Sequence, residues 1–487
     1  MTESASRTRA DLLLRGGTVI DGTGAPRFAA DVGVTAGAIS FVGEAGRCEA
    51  RQVLDVHGLV VAPGFIDSHA HDDRAVLADP GMRAKVSQGV TTVVNGNCGN
   101  SLAPFRKGAV PPLPLRDVEP QYQFDTFAAY LEQLQARPAS VNVASLVGHT
   151  SLRVCHVHDL ERPATQDEAL AMRQAVQAAL EAGALGLSTG TFYPPAAAAT
   201  HEEIVAVGAD LARYAGVYAT HMRNEGDGVM EAIDESAAIA AALGVPLVVS
   251  HHKVMGAANF GRTVQTLDKL RLLSQTQKIC QDCYPYTASS SLLRLERLQQ
   301  CDDIIITSSR TLPDCAGARL SELVVRWNCS REEALGRVMP GTGMYFMMDE
   351  ADVRRVLADP ATVIGSDGIS ADSYPHPRLW GTFARVLGHY CRELGLFPLE
   401  AAVRKMTGST ALAFGLHDRG EIRVGHAADI TVFDAGKVID RATYLSPTEQ
   451  ALGIEHVLVN GTAVWASGAP TGARPGHCLR RGTVVGP

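Results

Sequence analysis

Short apolar runs alternate with amphipathic stretches through the middle of the chain, from about residue 63 to 410. The stretches ATQDEALAMRQAVQAALEAG and DGVMEAIDESAAIAAALG place apolar residues at i, i+3 and i+4 and end in glycine, which predicts helices. The runs between such stretches predict strands: TTVVNG, VNVASLVG, LGLSTG, VYATHM, PLVVSHH, KICQDCYPY and TVIGSDG. Strands that alternate with helices indicate parallel βαβ units, and about eight of them predict an α/β fold, a (β/α)8 barrel.

The two ends of the chain have a different pattern, in which β-branched residues are punctuated by glycine. LLLRGGTVIDG and DVGVTAGAISFVG near the start resemble GEIRVGHAADITVFD and HVLVNGTAVWASG near the end. Neither end is long enough to build a good core alone, which favours one small β domain over two separate units. We therefore predict that residues 1–62 and 411–487 form one small β domain around a barrel of residues 63–410.

One segment of the barrel region interrupts the alternation of strands and helices. Residues 290–345 lie between the KICQDCYPY and TVIGSDG strands and carry helical patterns of their own. Insertions of this kind in a barrel usually lie over the active face. The segment is predicted to be an inserted lid.

Composition and charge narrow the classes of partner. The chain has 487 residues, 46% of them hydrophobic and 20% charged, which is typical of a globular protein with a sizeable core. A net charge of -8 argues against nucleic acid or an anionic membrane surface as the main partner. No signal-peptide core precedes Asp11, and the longest apolar stretch is broken by Gly244 and Pro246. A cytoplasmic location, with no membrane partner, is expected, and the oligomeric state stays open.

The cysteine content adds one weak signal. Ten cysteines in a chain without a signal peptide are expected to be reduced and mostly buried. Cys280 and Cys283 form a single CxxC, which could mark a redox protein. Without a second pair or a nearby histidine, an accidental spacing in a buried strand is the favoured interpretation.

Side chains able to bind metal follow several of the predicted strands. The members of this set are His69, His71, Cys98, His221, His251 and Asp367. His69 and His71 are one residue apart, so on a strand both would lie on one face. Each alone has an ordinary structural explanation, but together they fall at the strand ends where barrel active sites form. Because neighbours on a strand point in opposite directions, only one of His251 and His252 should face the barrel axis.

At this point the sequence resembles the amidohydrolase superfamily, in which an HxH, two later histidines and a final aspartate follow successive barrel strands. Longer runs resemble its D-aminoacylase (N-acyl-D-amino-acid deacylase) branch from about residue 10 to the end. They are APGFIDSHAHDD, GVTTVVNGNCG, GALGLSTGTFYPP, YATHMRNEG, SHHKVMGAANFGR, DCYPYTASSS, MYFMMDE, IGSDG and PHPRLWGTFARVLGHY. The resemblance implies zinc-dependent hydrolysis of the N-acyl amide of a small-molecule N-acyl-D-amino acid.

The resemblance also implies a set of ligands. One tightly held Zn²⁺ would be bound by Cys98, His221 and His251. His69 and His71, with Cys98 and Asp367 nearby, would form a second site that is weaker or empty.

The remaining roles are likewise carried over from the family. Asp367 would move the proton from the attacking water to the leaving amine. Lys253 and Arg378 match positions that bind the substrate α-carboxylate, and Tyr193 and Tyr284 match hydroxyl contacts. Ser290 is a weaker candidate for substrate contact.

Individual residues bear on which substrate side chain is preferred and on which alternative activities remain. Leu292 offers no charge partner to an acidic substrate, which predicts a preference for apolar D-side chains, although Arg294 is close by in sequence. The alternatives are an N-acyl-D-glutamate or N-acyl-D-aspartate deacylase, or a hydantoinase-like cyclic amide hydrolase. A Cys98-centred pattern counts against the hydantoinase, and a complete ligand set counts against a metal-free scaffold relative.

Overall fold

The centre of the protein is a barrel of eight parallel strands in the order of the chain. The computed structural model describes residues 8–106, 109, 110, 115 and 119–481. Each predicted strand run contains one barrel strand, and the third strand continues beyond a break as Val147–Gly148. The barrel strands are Phe65–Asp67, Val90–Asn95, Asn142–Ser145, Gly186–Gly190, Val217–His221, Leu247–Val249, Ile279–Cys283 and Thr362–Ile364.

Helices surround the barrel, and their ends follow the sequence signals. Gln166–Ala182 begins at a capping box of Thr165 and Glu168 and ends at Gly183, whose φ of 113° suits only glycine well. The main outer helices are Ala75–Ala78, Arg83–Val86, Phe127–Ala136, His149–His156, Gln166–Ala182, Pro194–Ala197, His201–Val207, Val229–Leu243, Thr263–Leu273, Glu350–Ala358, Arg378–Arg385, Leu399–Met406 and Gly408–Phe414. A π-helical stretch, Val386–Glu393, continues Arg378–Arg385. The predicted barrel is confirmed.

The two ends of the chain meet in one nine-stranded sheet. Val60–Pro63 runs antiparallel to Ile430–Phe433, with Ile430 opposite Pro63, and this pairing joins the two halves. The strands of this sheet are Thr8–Val19, Phe28–Thr35, Ala38–Gly43, Cys48–Asp55, Val60–Pro63, Ile430–Phe433, Ile454–Val459, Thr462–Ala466 and Ala469–Pro470. The small β domain is therefore built from both ends of the chain. The boundaries at 62/63 and 410/411 stay a prediction, and residues 1–7 and 482–487 lie outside the described residues.

The inserted segment folds as a small unit between the seventh and eighth barrel strands. Its antiparallel sheet consists of Ala288–Leu292, Ile304–Ser309 and Gly341–Phe346, in which the last strand lies in the middle. The helices Leu320–Trp327 and Arg331–Val338 pack on this sheet around a hydrophobic cluster of their own. The strand Ala288–Leu292 carries Ser290 to the wall of the cavity described below.

Within the described part of the chain, no helix combines the length and apolar character that crossing a membrane requires.

Candidate metal centre and active site

Two overlapping groups of metal-binding side chains lie at the carboxyl ends of the barrel strands. Cys98, His221 and His251 form one group, and His69, His71 and Cys98 form the other. Within each group, the atoms able to bind a metal lie within 4.8 Å of one another. The sequence prediction that these strand ends converge is in agreement with this geometry. Cys98 belongs to both groups, so its sulfur lies between two possible metal positions.

The chemistry of the first group suits zinc. Cys98 Sγ lies 3.4 Å from His251 Nε2 and 3.2 Å from His69 Nε2. Burial alone would raise the pKa of the Cys98 thiol, but the imidazoles of His69 and His251 outweigh burial and hold this pKa well below its ordinary value. A thiolate and two imidazoles are ligands that zinc prefers.

His221 provides an independent test of whether a metal fits. Its side chain is buried, yet neither ring nitrogen makes a hydrogen bond with any described residue. Its Nε2 lies 3.5 Å from Glu225 Oε2, which is beyond normal hydrogen-bond length. Buried polar atoms without partners are uncommon in folded proteins and need an explanation. A cation bound between His221, His251 and Cys98 supplies one, so the residues present fit the ion.

The second group includes the carboxylate of Asp367. Asp367 Oδ1 lies 3.2 Å from His71 Nε2 and 3.7 Å from His69 Nε2. Burial alone would lower the pKa of His71, but its bonds to Asp367 and Cys98 outweigh burial and raise this pKa to about 9. For Asp367 itself, burial opposes ionisation, yet the Arg378 guanidinium and the histidines hold its pKa well below the ordinary value. The carboxylate is therefore ionised at neutral pH.

Arg378 lies directly behind Asp367. Its Nη1 is 2.8 Å from Asp367 Oδ2, and its guanidinium stacks 4.5 Å from the ring centroid of Tyr284. The side chain is fully buried, and within the described residues its Nε and Nη2 have no hydrogen-bond partner. A buried guanidinium with unused donors beside a cavity is suited to binding a carboxylate.

Lys253 is buried next to the metal-binding side chains. Its Nζ is 2.6 Å from Glu225 Oε1 and 2.8 Å from His251 Nδ1. Only 5% of the residue is exposed, so its ammonium is directed at a buried carboxylate rather than at open solvent. His252, the neighbour of His251, turns away and bonds Thr266 Oγ1 at 2.9 Å, as expected for the structural member of the pair.

A small cavity of about 30 Å³ lies beside these groups. Tyr193, Ser290 and Leu292 line it, together with His71, Cys98, Asn100, Ser291, Thr342, Asp367 and Ile369. The Ser290 hydroxyl is buried and makes no hydrogen bond within the described structure. Tyr284 lies below Arg378, and its hydroxyl lies 3.6 Å from Met348 Sδ. Ser290, Ser291, Leu292 and Thr342 belong to the inserted segment, so this segment forms part of the wall of the cavity.

Sequence reasoning missed two buried carboxylates that support the histidines. Glu225 Oε1 lies 3.0 Å from His251 Nδ1, and Asp282 Oδ2 lies 3.1 Å from His69 Nδ1. A carboxylate on one imidazole nitrogen orients the ring and leaves the other nitrogen free for a metal. Asp282 carried a signal, because a charged residue within an apolar barrel strand needs a buried partner. Glu225 follows His221 by four residues in a loop, where no periodicity indicates direction.

The CxxC pair is divided between two environments. Cys283 packs in the main hydrophobic core, whereas Cys280 packs in a second cluster. Burial raises the pKa of the Cys280 thiol to about 12, which is unlike a reactive cysteine. The geometry favours the accidental spacing over a redox function.

Comparisons with known proteins give one consistent family. A family model described as "Amidohydrolase family" matches residues 52–311 and 318–465. The chain is 50% identical to a D-aminoacylase of Alcaligenes xylosoxydans xylosoxydans, covering 97% of this chain and 98% of the relative. An N-acyl-D-aspartate deacylase and an N-acyl-D-glutamate deacylase of the same organism are 45% and 44% identical, each covering 98% of this chain and 96% and 97% of the relatives.

Two solved structures have nearly the same backbone. A crystal structure of D-aminoacylase has a TM-score of 0.94 and 50% identity, covering 97% of this chain and all of the other. An N-acyl-D-glutamate deacylase from Bordetella bronchiseptica has a TM-score of 0.93 and 44% identity over the same shares. That structure contains zinc and a phosphonate inhibitor that mimics the tetrahedral intermediate.

Proposed function

Because the chain belongs to the amidohydrolase family, we propose that it is a zinc-dependent N-acyl-D-amino-acid deacylase. It hydrolyses the N-acyl amide and releases a carboxylate and a free D-amino acid. The observation that carries this proposal is the cluster of Cys98, His221 and His251 with the ionised Asp367 next to it. The similarity to three N-acyl-D-amino-acid deacylases over nearly the whole chain supports the same substrate class.

Cys98, His221 and His251 would hold the tight zinc, and His69, His71 and Asp367 would complete a weaker second site through Cys98. When bound, zinc would lower the pKa of a bound water to ~7 and would polarise the scissile carbonyl. A single tight zinc agrees with the work on D-aminoacylase that describes one-metal activation and second-metal attenuation.

Asp367 transfers the proton from the attacking water to the leaving amine. Its lowered pKa keeps the carboxylate ionised, and therefore able to accept a proton, at neutral pH, and its Oδ1 lies 3.2 Å from His71 Nε2. The carboxylate accepts the proton of the attacking water and returns it to the amide nitrogen as the C–N bond breaks. Arg378 holds the other oxygen, Oδ2, which fixes the direction of the carboxylate throughout.

Arg378 also binds the substrate. Its Nε and Nη2 are the donors for the α-carboxylate, and the Tyr284 ring keeps the guanidinium plane in position. Tyr193 and Ser290 contact the substrate from the cavity wall. Lys253 can join Arg378 only at a cost, because its ammonium already bonds Glu225 at 2.6 Å.

Acetate release from paired N-acetyl-D- and N-acetyl-L-amino acids, with and without chelator, tests the proposal. The expected result is D-selective hydrolysis that chelator abolishes and added zinc restores. Cys98→Ala should lose both zinc and activity, whereas Cys283→Ala, which changes another buried barrel cysteine, should keep both. Equal hydrolysis of both enantiomers, or full zinc in Cys98→Ala, would contradict the proposal. Hydrolysis of a hydantoin instead of the linear amides would favour the cyclic amide alternative.

One observation favours a second candidate, an acidic substrate side chain. Arg297 is only 5% exposed and lies between the rings of Phe192 and Tyr345, at 5.0 and 4.9 Å from their centroids. Its Nε and Nη1 have no hydrogen-bond partner in the part of the chain that is described. Phe192 lies 5.2 Å from the His221 ring, so this cation is close to the metal centre. A carboxylate on the substrate would give the buried guanidinium a partner.

The two side-chain preferences are separated by comparing kcat/KM for N-acetyl-D-methionine, N-acetyl-D-glutamate and N-acetyl-D-aspartate. The Leu292 argument predicts that methionine is preferred, and the Arg297 argument predicts an acidic substrate. If the acidic substrate is preferred, Arg297→Met should remove that preference. Arg294→Met is the control, because Arg294 already has a carboxylate partner: its Nε lies 3.6 Å from Glu296 Oε2.

A further inference from the structure

The seam between the first and eighth barrel strands is closed beyond the ends of the two strands rather than along them. The hydrogen-bonded ladders run from the first strand to the third and from the third to the eighth, but among the described strands no ladder joins Phe65–Asp67 to Thr362–Ile364. Just beyond their ends, backbone bonds run from Ser68 N to Ile364 O at 3.3 Å and from Asp367 N to His69 O at 2.8 Å. These backbone bonds lie next to His69 and Asp367, which follow the two strands. The short strands that follow, Ala70–His71 and Gly368–Ile369, pair in parallel.

A buried lysine adds side-chain hydrogen bonds across this seam. Lys85, in the short helix Arg83–Val86, is fully buried, and its Nζ lies 2.6 Å from Asp67 Oδ2 and 2.8 Å from Ser366 Oγ. Asp72 Oδ2 is 3.1 Å from the same ammonium. One cation therefore joins the end of the first strand to the end of the eighth, through two residues that directly flank the site.

Asp67 continues the network into the backbone. Its Oδ1 accepts hydrogen bonds from His69 N at 3.2 Å and from Ser366 N at 2.8 Å. Ser366 Oγ donates to Asp67 Oδ2 at 2.6 Å and accepts from Gly368 N at 3.1 Å. The amide before Asp367 is thus held by Asp67, which also holds the amide of His69, and the amide after Asp367 is held by Ser366 Oγ. Asp367 itself has a φ of 48°, a conformation that its surroundings must maintain.

We propose that Lys85 is a positioning residue which, through Asp67 and Ser366, sets the distance between the His69–His71 pair and Asp367. Lys85 touches none of these three side chains. It acts by fixing the two strand ends from which they project, so the second metal site and the proton-transfer carboxylate depend on it. The first group, Cys98, His221 and His251, is carried by other strands and shares only Cys98 with the second group, so we expect it to be much less sensitive to the seam. This inference rests on the proposed function for its catalytic part only.

The decisive variant is Ser366→Ala, because it removes the hydroxyl that bridges Lys85 and Asp67 and leaves every charge in place. Lys85→Met would leave Asp67 and Asp72 buried without a cation and could simply fail to fold. Ser68→Ala is the matched control. Ser68 is a buried serine in the same turn, next to His69, and within the described chain its hydroxyl makes no hydrogen bond.

Calorimetric titration of the metal-free proteins with Zn²⁺ gives a readout that is independent of activity. Supporting groups around metal ligands typically contribute 10- to 100-fold to affinity. We expect Ser366→Ala to bind the first equivalent as the unaltered protein does and the second about 10- to 100-fold more weakly. Ser68→Ala should bind both equivalents normally. With N-acetyl-D-amino acids, kcat of Ser366→Ala should fall while KM stays within about twofold, because Asp367 is displaced and Arg378 still binds the α-carboxylate.

Three results would overturn the inference: normal binding of the second equivalent by Ser366→Ala, weakening of both equivalents together, or binding of only one equivalent by the unaltered protein. Failure of the proposed function is distinct, because it would appear as absent D-selective hydrolysis in the unaltered protein. The titration would still report on the seam in that case.

Discussion

Glu225 is the carboxylate whose removal should have the most specific effect on the metal centre. Its side chain is fully buried and lies within 3.0 Å of His251 Nδ1 and 2.6 Å of Lys253 Nζ. Glu225→Gln keeps the shape and one oxygen but removes the charge. His251 then loses the negative charge that favours a proton on Nδ1 and so leaves Nε2 free for the metal.

Glu225→Gln should lower both the affinity for zinc and the free energy of unfolding of the metal-free protein. Loss of such a supporting carboxylate typically lowers metal affinity 10- to 100-fold, and each tenfold step is about 1.4 kcal/mol. The metal-free protein should also lose about 3 kcal/mol of unfolding free energy, since breaking a buried ion pair leaves Lys253 without its counter-charge. The lower end of the usual range applies because the glutamine oxygen still accepts a hydrogen bond.

The assay is competition for zinc against a chelator of known affinity, with urea unfolding of the metal-free protein alongside. Glu203→Gln is the control, because Glu203 is another buried glutamate, held by Arg153 and by His149 at 3.1 Å, away from the metal centre. That variant should lose stability and keep its zinc affinity. Equal zinc affinity in Glu225→Gln and Glu203→Gln would refute the reasoning.

Three further predictions concern the proton, the pH dependence and the inserted segment. Asp367→Asn should keep the tight zinc and lose about 10²- to 10⁴-fold in kcat, and a fall of only a few-fold in kcat would exclude Asp367 as the proton carrier. Burial raises the pKa of Asp372 to about 6, against opposing bonds from Thr342 and Thr307, so the folded protein retains this proton longer than the unfolded chain does. Its ionisation should therefore remove stability as pH rises from about 4 to 6, and Asp372→Asn should be more stable than the unaltered protein at pH 7 but not at pH 4, as measured by urea unfolding. Residues 288–346 should exchange amide hydrogens more slowly when a product D-amino acid is bound, and unchanged exchange there would argue against a closing lid.

The barrel could be predicted because its signals are local. Each predicted strand is bounded by glycine or a polar turn. The capping box and the terminal glycine of the helix Gln166–Ala182 can both be recognised in the sequence. The convergence of His69, Cys98, His221 and Asp367 followed from one topological rule, that barrel strands deliver their carboxyl ends to the same face.

The supporting groups could not be predicted because they depend on distances between remote segments. Lys85 and Asp67 are 18 residues apart and Lys85 and Ser366 are 281 apart, and no spacing rule links them. The substrate contact that the family motif implies for Lys253 stays a prediction. The pairing of its ammonium with Glu225 at 2.6 Å is another contact between separate segments that no spacing rule gives.

Backbone conformation connects the proposed site to the stability of the fold. Of the nine non-glycine residues with positive φ in the described chain, three belong to the site: Cys98 at 52°, His251 at 35° and Asp367 at 48°. Such conformations cost of order 1–3 kcal/mol each and persist only where the surroundings enforce them. Glycine would relieve the strain at each position but would remove a proposed metal ligand or the proposed proton carrier. The hydrogen bonds from His251 N to Asp282 and from Asp367 N to His69 O are therefore important to the proposed site. They stabilise the positive-φ backbone conformations of His251 and Asp367, which would otherwise be unfavourable.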